Sequence, residues 1–183
     1  MRKLLALMLV VLMTVPGFCL AEESKATELP KGVTFQMDYD AVLAALGEGV
    51  AEDEWEEDVG TLMLSDTDAG IGDLKASEIS FQVDRNNSGR VSRLSQIDLY
   101  LPVGENSIAS FREALAAITA VYGEPDGDPF DAAGVEGYVE YGGLHATWTK
   151  PDVRINLSLS RMYQESMSLD FSNRLCYDAD DLK

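Results

Sequence analysis

The sequence predicts an α+β fold: two helix-plus-antiparallel-meander repeats sharing one sheet of six to eight antiparallel strands, with both helices on one face. Three observations predict it. The chain carries a diverged copy of itself 76 positions apart, so that Phe35, Tyr39, Val42, Leu46, Gly47 and Glu48 map without a gap onto Phe111, Leu115, Ile118, Tyr122, Gly123 and Glu124. Ile79, Phe81 and Val83 map at the same offset onto Ile155, Leu157 and Leu159. A fixed-offset match of apolar positions is the mark of a duplicated folding unit. Finally, several segments alternate apolar and polar residues, the pattern of strands with one dry and one wet face.

The chain opens as an export signal. Arg2 and Lys3 precede an apolar run from Leu4 to Val15, Pro16 and Gly17 break it, and Cys19-Leu20-Ala21 supplies small residues at the outer positions. This describes a signal peptide over 1–21 with cleavage after Ala21. The apolar run is shorter than the ~20 residues that span a bilayer. Lipidation of Cys19 is the weaker reading, because Phe18 is bulky where a small residue belongs. No later stretch is apolar enough for a second membrane pass. The expected location is therefore exported: extracellular, periplasmic or cell-envelope associated.

Residues 22–31 are polar with Pro30 near their end and read as a flexible leader. The globular domain is expected over 32–177, with repeat one at 32–104 and repeat two at 105–177, followed by an acidic tail over 178–183. In repeat one, Phe35, Tyr39, Val42 and Leu46 stripe a helix, with Asp38 or Asp40 near its start and Gly47 as its stop. Ala51 to Asp58 is crowded with Glu and Asp and reads as a solvated loop. Thr61 to Leu64 is a short strand, and 66–77 a loop. Glu78 to Asp84 alternates, Asn86-Asn87-Ser88-Gly89 is turn chemistry, and Leu94 to Leu101 alternates again. Together they make a hairpin.

In repeat two, Ile108, Phe111, Leu115, Ile118, Val121 and Tyr122 stripe a longer helix, with Asn106 or Ser107 as cap and Gly123-Glu124-Pro125 as stop. A loop rich in Gly, Asp and Pro runs to Gly134. Strands are expected at 137–141, 144–149, 153–160 and 166–172.

The 183 residues carry a net charge of −18. Removing Arg2 and Lys3 with the signal leaves 12 basic against 32 acidic residues, or −20. Such a surface repels nucleic acid and anionic lipid. A partner must be neutral or basic at the contact, or a cation. Without Cys19, Cys176 is the lone thiol, so stability must come from packing rather than a disulfide.

Chemistry-bearing motifs are sparse. His145 is the only histidine and sits in an alternating strand with Trp148, which excludes a multi-histidine metal site. No nucleophile elbow, P-loop or dinucleotide glycine run occurs. Carboxylate pairs are unavoidable among 32 acids and so identify no hydrolase by themselves. Asp84, Asn86 and Ser88, followed by Gly89, match the first half of a calcium loop. Ser95 stands where the bidentate Glu belongs, so Ca²⁺ is a weak candidate and no cofactor is expected. The acidic run Glu52 to Asp58 repels itself rather than converging on a cation.

The outward sheet face is the stronger candidate. Alternation places Ser80, Gln82, Gln96, Asp98, Tyr100, Asn156, Ser158, Ser168 and Asp170 on it. Within this set Gln82, Gln96, Asp98, Tyr100, Asn156 and Ser158 form the expected partner-binding surface. Short polar side chains with a tyrosine cost little entropy to order and make adaptable contacts. An ordinary wet sheet face carries similar residues.

Met37-x4-Val42-x3-Leu46-Gly47 after a signal peptide, its echo Ile118-x3-Tyr122-Gly123 and the strands that follow carry a resemblance to two exported groups. One is the outer-membrane assembly lipoprotein family BamE, also called SmpA. The other is the β-lactamase inhibitory protein family, itself a tandem duplicate of helix and sheet. The segment Tyr122 to Pro125 with Trp148 on a later strand is similar to that of many exported bacterial proteins. The resemblance covers most of the mature chain in topology and some ten structural residues in identity, and it implies no active site. It implies a non-catalytic protein-binding or inhibitor-like module, with an envelope-assembly accessory and a carboxylate-dependent hydrolase as alternatives. The expected partner is another protein or an envelope component. The missing disulfides and the poor lipidation signal depart from the two families.

Overall fold

A computed structural model of the chain describes residues 26–56, 59–84, 93–161 and 165–174. The fold is α+β, built on one seven-stranded sheet in the order β1-β2-β3-β4-β7-β6-β5, with every neighbouring pair antiparallel. Its strands are β1 (Ala51–Glu56), β2 (Val59–Asp68), β3 (Lys75–Asp84), β4 (Arg93–Leu101), β5 (Gly143–Thr149), β6 (Val153–Ser160) and β7 (Ser166–Asn173). Among the described residues three α-helices, α1 (Tyr39–Leu46), α2 (Ser107–Tyr122) and α3 (Ala132–Tyr141), and a 3₁₀ turn (Pro30–Gly32) complete it.

The helices begin and end where local chemistry dictates. Asp38, Asn106 and Asp131 each accept a backbone N–H three residues on, from Ala41, Ala109 and Gly134. Such caps satisfy donors that the first turn leaves open, each worth about 1 kcal/mol. Gly47 and Gly123 close α1 and α2 at φ 77° and 81°, a region where a side chain is costly.

Alternation along the strands builds the interior. In register across six strands, Leu62, Phe81, Ile97, Phe171, Ile155 and Trp148 form one unbroken apolar row, all wholly buried. A second row runs Leu64, Ile79, Leu99, Leu169, Leu157 and Ala146. Each fully buried Leu, Ile or Phe contributes about 1.5–3 kcal/mol. Val42 of α1 and Phe111 and Ile118 of α2 belong to the same buried cluster. The Tyr122 ring meets Phe171 edge-on at 5.8 Å. α1 lies against β4, and α2 against β6.

Five expectations change. The acidic segment expected as a loop over 51–58 is an edge strand over 51–56, with Glu52 accepting the Tyr39 hydroxyl at 2.6 Å. An edge strand needs ladder bonds on one side only and tolerates charge. The short strand at 61–64 extends to 59–68, and the loop expected over 66–77 shrinks to 69–74. That turn is closed by Ala69 N–H to Leu74 C=O at 2.9 Å and buries Ala69 and Ile71 completely.

The strand expected at 137–141 is instead the second half of α3. Its N-cap Asp131 and the Arg161 guanidinium, which lies over the Tyr138 ring and donates to its hydroxyl at 3.1 Å, hold the helix. Finally, the described part of the leader is tied down. Thr27 donates from N–H and hydroxyl to Asp152 at 2.9 and 2.6 Å, Tyr122 donates to the Glu28 carbonyl at 2.8 Å, and Leu29 and Pro30 are buried.

The signal segment, the 178–183 tail, Cys19, Cys176, Asn86 and Ser88 lie outside the described residues. Among the described residues no helix is long and apolar enough to cross a membrane.

Candidate functional site

The face of the sheet opposite the apolar rows carries the alternate, polar residues of β3, β4, β5, β6 and β7. All six residues of the expected partner-binding surface lie on it. β7 runs between their strands, so the register builds three cross-strand rows. Gln82, Gln96, Ser172 and Arg154 make the first, and Ser80, Asp98, Asp170, Asn156 and Thr147 the second. Glu78, Tyr100, Ser168, Ser158 and His145 make the third. Strands stand ~4.8 Å apart, so Asp98 and Asn156 are separated by about 10 Å with Asp170 between them.

Hydrogen bonds order this surface. Gln82 Nε2 donates to Asp98 Oδ2 at 2.8 Å, and Gln96 Nε2 to Asp98 Oδ1 at 2.6 Å. Thr147 donates to Asn156 Oδ1 at 3.1 Å. His145 Nδ1 meets Ser158 Oγ at 3.1 Å. A bulge lies between the pairs Gln82↔Gln96 and Val83↔Leu94, and Ser95 there donates its hydroxyl to the Gln82 carbonyl at 3.0 Å. A bulge re-aims local side chains and adds twist. Tyr100 stands out from the face, 48% exposed.

The centre of the face is electrostatically unusual. Asp98 and Asp170 are direct cross-strand partners, and like charges so placed repel. Burial, then the Asp98 charge and a hydrogen bond to Asp98, push the Asp170 carboxyl up to about 6. Burial pushes the Tyr100 hydroxyl up as well, helped by Asp98, Glu78 and Asp170. Both shifts resist adding negative charge to a half-buried acidic surface.

Asp84, the first of the calcium-loop residues, ends β3. Among the described residues no group of three or more His, Cys, Asp or Glu is placed to hold a metal ion. A hollow of about 70 Å³ lies on the apolar side of the fold, lined by Thr27, Leu29, Phe35, Asp152 and Asn173 among others. It has room for a few waters, far below the ~300 Å³ of small-molecule sites.

Alternation identified the face but not the meeting of its two aspartates. Its one available signal is that Asp98 and Asp170 occupy matching outward positions in two alternating strands. Compared with family models, curated proteins and solved structures, the chain matches none.

Proposed function

We propose that the protein is an exported, non-catalytic binding module whose polar sheet face docks another protein or an envelope component. The observation that carries this reading is the gathering of Gln82, Gln96, Asp98, Tyr100, Asn156 and Ser158 on one continuous surface. Short donors and acceptors surround a protruding tyrosine, the composition of adaptable contact surfaces. With a net charge of −18, the chain favours a partner that is neutral or basic at the contact. The test is recovery of a partner from native extracellular or envelope fractions. The double variant Tyr100→Ala, Asn156→Ala should lose a partner that the wild type and a control variant on α3, Glu136→Ala, both retain. Equal recovery by all three would remove the reading.

A second reading, a carboxylate-dependent hydrolase, draws on the Asp98 and Asp170 pair, since two carboxyls sharing a proton can serve acid and base roles. Both oxygens of Asp98 are already occupied by glutamine amides, which leaves that carboxylate poorly placed to accept a proton from water. Binding is therefore preferred.

The architecture behind the surface is inferred to be a tandem duplication with α1 and α2 on the apolar side. Val42 and Ile118, 76 positions apart, are both wholly buried. Gly47 and Gly123, at the same spacing, bond back to Leu43 and Thr119. The order β2-β3-β4 is mirrored by β5-β6-β7 about the junction of β4 with β7. On this reading Asp98 and Asp170 are the same position of the two repeats, meeting across a pseudo-two-fold axis. The halves 26–104 and 105–174, expressed as separate chains, should reassociate. Failure to co-purify would count against two units sharing one interior.

A further inference from the structure

The carboxyls of Asp98 and Asp170, both partly buried, face each other as direct cross-strand partners of β4 and β7. Two carboxylates so placed repel, which favours a proton on one of them, and a protonated carboxyl can donate to an ionised one that only accepts. The surroundings say which. Both oxygens of Asp98 accept amide N–H groups, from Gln82 and Gln96, and donors of this kind favour the charged form. Asp170 is half-buried, and burial together with the facing Asp98 disfavours its charge. Asp170 is therefore the proton holder and Asp98 the acceptor.

The pair also sits at a decisive place. β1 to β4 form one run of neighbouring strands and β5 to β7 another, and within the sheet the two runs meet only where β4 pairs with β7. Asp98 and Asp170 face each other at that seam. We propose that this pair is a proton-operated latch on the junction between the two halves of the sheet. Protonated, it adds a hydrogen bond across the seam. Deprotonated, it sets two like charges against each other there.

The other charged and titratable groups on this face do not neutralise it. Glu78 on β3 and Tyr100 on β4 lie one row away, the first acidic and the second neutral. Arg154 on β6 faces Ser172 and is exposed to solvent, which weakens its pull on Asp170. His145 on β5 is two strands from Asp170 and bonded to Ser158. Asp84 and Arg93 face each other at the far end of β3 and β4. The latch stands apart from the binding reading, since it concerns the sheet itself whatever docks on the face.

Carbon-detected NMR of the full chain, following the side-chain carboxyls of Asp98 and Asp170, tests it. The pair should release its last proton near pH 6, against 3.8 for an ordinary aspartate. Unfolding by denaturant gives the second readout. The wild-type folding constant should fall by roughly tenfold from about pH 4 to about pH 7. Asp170→Asn, whose amide can bond to Asp98 without titrating, should flatten that dependence. Release of both protons below about pH 4.5, or an unchanged slope in Asp170→Asn, would overturn the proposal. Should Asp170→Asn fail to fold, the wild-type titration decides alone.

Discussion

Trp148 donates its indole N–H to the carbonyl of Gly123 at 2.7 Å. The bond joins the wholly buried Trp148, near the end of β5, to the residue that ends α2. The chain leaving α2 continues along the outer side of β5. There the Asp126 N–H donates to the Thr147 carbonyl at 2.7 Å, and the Asp126 carboxylate accepts the Thr149 N–H and hydroxyl at 3.3 and 2.7 Å. One short loop thus fixes the helix end and covers part of a sheet edge, which would otherwise invite pairing with another chain.

Trp148→Phe should cost about 2–4 kcal/mol. It leaves the Gly123 carbonyl without its donor and opens a space where the larger ring stood. A lower denaturant midpoint with an unchanged slope is the expected result. A midpoint equal to wild type would mean that water replaces the indole.

Asp126→Ala should cost less than about 1 kcal/mol, since the group is exposed. It should still speed amide exchange at Thr149 and promote self-association. The Thr149 hydroxyl, then its N–H and nearby Lys150 and Arg154, hold the Asp126 carboxyl below the usual aspartate value. A depressed folded value means that this contribution is present above about pH 4 and fades as acid protonates the native carboxylate. The variant and wild type should therefore converge in stability at low pH. Opposite behaviour, with the gap widening in acid, would contradict the bond.

Tyr122→Phe should cost about 1 kcal/mol and loosen residues 26–29, because it removes the donor to the Glu28 carbonyl. Burial pushes the Tyr122 hydroxyl far above the ordinary tyrosine range, so it remains a neutral donor at any working pH. Hydrogen exchange at Thr27, whose N–H bonds to Asp152, should accelerate more than exchange in the core of β7.

Gly134→Ala should destabilise α3 although alanine is the better helix former by about 1 kcal/mol. A Cβ there would overlap the Pro129 carbonyl, a backbone atom that cannot swing away. Circular dichroism should show lost helix in this variant. Gly137→Ala, whose added carbon meets open space, should gain stability on the same helix.

Much of the central sheet could be read from alternation. β3, β4, β6 and β7 have neighbours on both sides and one wet face, so Ile79, Phe81 and Val83 separate cleanly from Ser80 and Gln82. The stripe of α2 is legible from Ile108 to Ile118, with Val121 exposed, and that of α1 only from Tyr39, because Asp38 caps the helix there and Phe35 is buried in the non-helical segment before it. β1 was hidden because Glu52-Asp53-Glu54 offers no apolar alternation, and an edge strand can form without it. α3 is not legible because Gly137-Tyr138-Val139-Glu140-Tyr141 has strand composition. Its helical state depends on the Asp131 cap and on Arg161, which is distant in sequence. The six polar-face residues followed from period two. The encounter of Asp98 with Asp170 did not, because period two says which way a side chain points and nothing about which strands lie side by side.

The order of strands also bears on how the molecule reaches its native state. β4 waits for a partner whose residues lie about 70 positions further along the chain. While that stretch is still being synthesised, the first four strands can form a meander in which β4 is a second raw border beside the edge strand β1. The gap closes only after β7 arrives. Bringing such distant segments together is an entropic obstacle, and it should make the joining of these two strands the slow step of self-assembly.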